Sequence, residues 1–206
     1  MLSDLPLLIY AFTVGFVPAA AVLRYYFRRQ KNDGFPVSGL TQGMLYLFGL
    51  YLIAVFQVTG CGSFWQLFRY GFQNGRLNLI PFSHGFDLQH AFLNVLLFVP
   101  LGLLLSALFS HQRKPSRVVL LGLGLSLLIE LSQIFSGRAT DVDDLIFNTL
   151  GALLGLYCYR LNVYLIRDRH HMQKVPVTCY FLLVMTIFLS RFFLYNDLGF
   201  LNLIHS

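Results

Sequence analysis

Charge is what this sequence has least of. Of 206 residues only 12% are Asp, Glu, Lys or Arg, while 56% are hydrophobic, and the mean hydropathy is +0.65. A soluble domain carries about 25% charged residues, so too few solvating side chains are present to cover a soluble surface of this size. No segment is long and polar enough to fold as a soluble domain. The three cysteines (Cys61, Cys158, Cys179) contain no CxxC pair and form no disulfide framework. The sequence also lacks GxSxG, HExxH and Walker signatures, internal repeats, low-complexity tracts and transporter-like pseudo-symmetry. It has no basic leader ahead of its first apolar run. The positive charges of "MLSDLPLLIYAFTVGFVPAAAVLRYYFRRQK" follow the run instead, as in a retained first helix that starts outside.

What is present is long apolar runs. Six reach membrane-spanning length, roughly 17–25 residues, near 5–27, 40–59, 88–109, 116–135, 142–165 and 175–195. The expected fold is all-α: a polytopic bundle of about six transmembrane helices in one domain covering residues 1–206. Pro18 and Pro100 fall inside spans one and three, where a bilayer tolerates them if neighbours satisfy the freed carbonyl. Glycines recur in "GLGLS" and "GALLG", a spacing that lets helix backbones approach closely.

The net charge of +6 is explained by membrane orientation and not by nucleic acid. Three loops hold Arg24, Arg28, Arg29 and Lys31; Arg113, Lys114 and Arg117; and Arg160, Arg167, Arg169 and Lys174. The opposite side holds Arg69, Arg76, Arg138 and Arg191. A split of 11 against 4 makes the first set cytoplasmic under the positive-inside rule and places both termini outside. The long outer loop, 60–87, contains "FWQLFRYGF", which suits a short helix at the headgroup level. An "NG" turn follows, then "NLIPF", where Pro81 keeps Ile80 extended.

The scarce polar residues gather on that outer side. "IELSQIFSGRATDVDDLIFNTLG" (129–151) holds four of the nine carboxylates between two apolar runs. Glu130 and Gln133, three apart near the end of span four, share a face, and Ser126 extends it inward. Asp141, Asp144, Asn148 and Gly151 form one stripe on span five. The short connection makes spans four and five antiparallel neighbours, and at about 1.5 Å per residue the two polar faces stand at similar depth. Arg76, Asn78 and Asn94 fall at the same level. An ionisable residue at mid-bilayer costs roughly 2.5–3.5 kcal/mol on insertion scales, so such groups pair or line a cavity.

Plainer roles compete at each position. Asp141, Asp143 and Asp144 open a helix, where carboxylates cap free N–H groups, and "TDVD" resembles a capping box. Arg76 and Arg138 can bridge to the acids, and Asn94 and Asn148 can serve as interhelical hydrogen bonds. His84 and His90 flank Asp87, a weak metal pattern. His170 and His171 read as solvated residues in a basic loop.

"RLNLIPF" (76–82), "NVLLFVPLG" (94–102), "IELSQ" (129–133) and "GRATDVDDLIFNTLGALLG" (137–155) together resemble the VanZ-like family of bacterial membrane proteins, over about residues 40–160. The resemblance implies a multi-pass protein of the bacterial cytoplasmic membrane, in a family whose founding member is associated with teicoplanin resistance. Carried over by motif, the shared positions are Arg76, Asn78, Pro81, Phe82, Asn94, Pro100, Gly102, Glu130, Gln133, Arg138, Asp141, Asp144, Asn148 and Gly151.

Three functions follow as expectations. In the first, an outer polar pocket of Arg76, Asn78, Asn94, Glu130, Gln133, Arg138, Asp141, Asp144 and Asn148 binds an envelope lipid, a lipid-linked precursor or a surface ligand. In the second, a membrane enzyme acts on such a substrate, with Glu130 as general base and Asp141 or Asp144 as its partner or as a divalent-metal ligand. In the third, the network is a scaffold. The sequence requires no cofactor or resident metal, and leaves the oligomeric state open. Transport is disfavoured because the inner halves of the spans carry no charge.

Overall fold

The computed structural model describes residues 5–66, 77–78, 80–82, 85, 87–109, 114–136, 140–166, 173–196 and 199. Among them six long helices stand where the six spans are expected: α1 (Leu5–Asn32), α2 (Gly39–Val58), α3 (Leu88–Leu108), α4 (Pro115–Gln133), α5 (Val142–Ile166) and α6 (Val177–Leu194). Five of them, α1 to α4 and α6, are long and apolar enough to cross a membrane. At 25 residues α5 has the length, but Asp143, Asp144, Asn148, Arg160 and Asn162 dilute its apolar run. The chain is an all-α, multi-pass membrane protein. It also contains one small surprise, a parallel pair of two-residue strands, β1 (Leu77–Asn78) and β2 (Thr140–Asp141).

Between helices in lipid there is little hydrophobic force, so close packing depends on small side chains. α1 meets its neighbours through Ala11, Gly15, Ala19 and Leu23, one residue per turn on a single stripe. The centre of the bundle is filled by Phe48, Phe56, Phe98, Leu101, Leu105, Leu125, Ile129 and Leu183, all fully buried. α3 and α5 run parallel and approach most closely. Gly151 lies against the Val95 carbonyl, Gly155 against the Val99 carbonyl, and Gly102 against the Ala152 carbonyl. A Cβ at any of the three would collide with backbone, so the two helices touch main chain to main chain. Pro100 sits inside α3 beside this contact.

At the end of the bundle where α3 and α5 finish, Lys174 donates to the carbonyls of Ser106 (2.8 Å) and Ala107, satisfying the terminal turn of α3. At the opposite end both helices begin, and that shared level positions the polar residues.

Candidate functional site

The site is assembled from four pieces of chain. β1 pairs with β2, Asn78 opposite Asp141, and so draws the segment before α3 onto the start of α5. Asp141 then performs two tasks. Its Oδ1 accepts the Asp143 N–H (3.0 Å), capping α5. Both its oxygens accept the Asn78 side-chain amide at 3.2 Å. Asp143, expected only as a cap, reaches sideways: its two oxygens accept the Phe82 N–H at 3.1 Å. Phe82 needs that anchor, because it is held at φ 58°, a left-handed conformation unfavourable for a residue with a Cβ. Its ring meets Phe147 edge-on at 6.3 Å.

Behind this strap lies Glu130, buried at 1% exposure in an otherwise apolar helix. Its Oε2 accepts the Asp141 N–H (3.0 Å), which joins α4 to β2. The carboxyls of Asp141 and Asp144 stand close enough to interact with that of Glu130 electrostatically. The Asp144 Oδ1 accepts the Asn94 Nδ2 at 2.6 Å and meets the His90 Nε2 at 2.6 Å. One turn further into the bundle, Asn148 donates to the Ser126 hydroxyl (2.8 Å), and its Oδ1 has no partner among the described residues.

An open cavity of about 270 Å³ lies beside these groups, lined by Phe82, Gly85, Asp87, His90, Asp141, Asp143 and Phe147. Asp87 caps α3 through the N–H groups of Gln89 (2.9 Å) and His90 (3.1 Å). The cavity thus stands between two parallel helix starts, one aromatic wall and a set of carboxylates. Among the described residues no three His, Cys, Asp or Glu side chains are arranged to hold a metal ion.

Of the expected pocket, Asn78, Asn94, Glu130, Asp141 and Asp144 converge, and Asn148 lies directly below them. Gln133 does not join them. Residues three apart on a helix are offset by about 60°, and Gln133 turns toward α2, donating to the Thr59 carbonyl (2.8 Å). There it joins a separate knot that ties α2, α4 and α6. Ser132 donates to the Cys61 sulfur (3.0 Å), and Arg191 donates to the Cys61 carbonyl (3.0 Å) and to Gln57 Oε1 (2.6 Å). Burial pushes the Cys61 thiol up, against the opposing influence of Ser132 and Arg191. Arg76, Arg138 and His84 lie outside the described residues, as does most of the expected interfacial helix, of which the turn Phe64–Gln66 is helical.

His90 is the residue that sequence reasoning left out. It stood as half of a sparse metal pattern, and its partner Asp144 is 54 residues away. The available signal was its place one turn before Asn94, on the face that meets α5.

The comparisons with known proteins fall on this same stretch. The VanZ/LLP1 family model matches residues 48–166, from the middle of α2 to the end of α5. Protein VanZ of Enterococcus faecium is 33% identical over 138 residues, covering 66% of this chain and 80% of that protein. No solved structure matches. A match over more than half the chain, holding every residue of the polar cluster, shows that this protein belongs to the VanZ/LLP1 family.

Proposed function

We propose that the protein resides in the bacterial cytoplasmic membrane with both termini outside, and that its polar cluster opens on the outer face as a ligand site. The ligand is an envelope lipid, a lipid-linked precursor or another surface molecule, and its binding alters susceptibility to teicoplanin. One observation carries the reading. Asn78, His90, Asn94, Glu130, Asp141 and Asp144, from five separate elements, meet beside an open cavity at one end of an apolar bundle. Polar groups collected at such a depth cost free energy and are characteristic of functional sites. The enterococcal relative and the teicoplanin association of the family point the same way. Arg76 and Arg138 adjoin β1 and β2 in sequence, and their guanidinium groups would offer bidentate contacts to a phosphate or carboxylate of the ligand.

The test is expression in a teicoplanin-susceptible host. Wild type should change the minimum inhibitory concentration relative to vector. Glu130→Gln and Asp144→Asn, at matched membrane abundance, should abolish the change. A flat response for wild type and both variants would sink the reading.

A further inference from the structure

The geometry points to an acid–base role for His90. We propose that His90, oriented by Asp144, hydrolyses a carboxylic ester of the ligand held in the cleft; the inference rests on the cleft being a ligand site.

The first support is the state of the imidazole. Asn94 donates its amide to Asp144 Oδ1 at 2.6 Å, so that oxygen is an acceptor. The His90 Nε2 meets the same oxygen at 2.6 Å and must therefore carry the proton between them. The proton on Nε2 leaves a lone pair on Nδ1, which has no partner among the described residues, and His90 lines the cavity with its side chain 56% exposed. A carboxylate that orients the ring and an unpartnered ring nitrogen on a cavity-lining residue are the parts of a general base. Asp144 and Asn94 are positioning residues in this scheme.

Second, the other acids of the cleft are committed elsewhere. Asp141 holds Asn78 and the start of α5, Asp143 holds Phe82, and Asp87 caps α3. Among the cavity-lining residues, His90 is the one that brings a basic nitrogen, Nδ1, with no partner among the described residues. Third, the walls select the bond. A bound phosphodiester brings a standing negative charge next to Asp87, Asp141 and Asp143, whereas a bound ester carbonyl is neutral until water adds to it. The rings of Phe82 and Phe147 suit the apolar flank of an acyl group.

In the reaction, His90 Nδ1 takes a proton from water as the water oxygen bonds to the ester carbonyl carbon. The tetrahedral intermediate then breaks its carbon–alkoxy bond. The leaving alkoxide recovers the proton from the imidazolium, so water and ester become a carboxylic acid and an alcohol. Asp144 stabilises the transient imidazolium, and no other co-reactant is needed.

Two sources supply such an ester at the membrane surface: an acyl lipid and an O-acylated wall glycan. The test uses cells expressing wild type, His90→Gln or empty vector at matched membrane abundance. Lipid extracts are examined for lysolipid with free fatty acid, and wall digests for loss of O-acyl groups. Glutamine keeps a donor for Asp144 but cannot shuttle a proton, and an unchanged melting temperature confirms that the variant is folded. Wild type should generate one product set, and its rate should fall by about 10²–10⁴-fold in His90→Gln. The lipid or the wall arm identifies the source. Identical profiles in all strains, or product that persists in His90→Gln, overturn the proposal. Teicoplanin susceptibility in the same strains separates the two readings. A shift retained in His90→Gln leaves a binding site without catalysis; ester products without any shift leave hydrolysis without the resistance role.

Discussion

Asp141 is the residue on which the site's architecture converges, since it caps α5, holds Asn78 and presents its own N–H to Glu130. Asp141→Ala should cost the cap, about 0.5–2 kcal/mol, and should release the strap as well. A lowered thermal midpoint of the detergent-solubilised protein checks this. Phe82 offers a sharper contrast. At φ 58° its Cβ is strained by about 1–2 kcal/mol, while its ring contributes the Phe147 contact. Phe82→Ala loses the ring and keeps the strain, whereas Phe82→Gly loses the ring and relieves it. Phe82→Gly should therefore melt above Phe82→Ala; the reverse order would show that the conformation carries no cost. Sequence reasoning found Glu130, Asp144 and Asn94, because a carboxylate or amide inside an apolar run announces itself. It could not separate Gln133 from Glu130, since a three-residue spacing leaves about 60° through which two side chains diverge. Nor could it give Arg191 its partners. Expected only as a charge on the outer side near the end of span six, Arg191 is nine-tenths buried at the end of α6 and stacked on Tyr195.

Among the elements, the α3–α5 pair sets the geometry. Gly151 and Gly155 form a small-xxx-small pair that admits the α3 backbone. Substituting either by Ala forces overpacking, typically about 1–3 kcal/mol. Gly124→Ala in α4, where a Cβ meets nothing within 4 Å, is the control and should be neutral or stabilising. Thermal denaturation followed by size-exclusion chromatography distinguishes them, and equal loss at all three positions would refute the packing argument. Helix positions were legible because hydropathy over some twenty residues averages out local ambiguity. The β1–β2 pair was not, because two-residue strands have no periodicity and their pairing joins positions 63 apart. For the same reason the contact of His90 with Asp144 is legible only once the relative height of α3 and α5 is known.

For the whole molecule, the distribution of arginine and lysine predicts which end of the bundle faces out. A cysteine placed at position 78 in a background lacking the native cysteines should react with a membrane-impermeant maleimide in intact cells. Labelling seen only after lysis would invert the bundle and put the cavity beside the cytoplasm. The apolar faces of α1, α2, α3, α4 and α6 supply the lipid contact. At this end of the bundle Asn78 and Phe82 tie the segment before α3 to Asp141 and Asp143.

The glycine contact between α3 and α5 has a bearing on how the protein meets membranes of different thickness. A bundle accommodates a thicker or thinner bilayer by changing helix tilt. Two helices whose main chains touch must tilt as one body, so His90 and Asp144, each within the first turn of its helix, keep their separation whatever the surrounding lipid imposes on the rest.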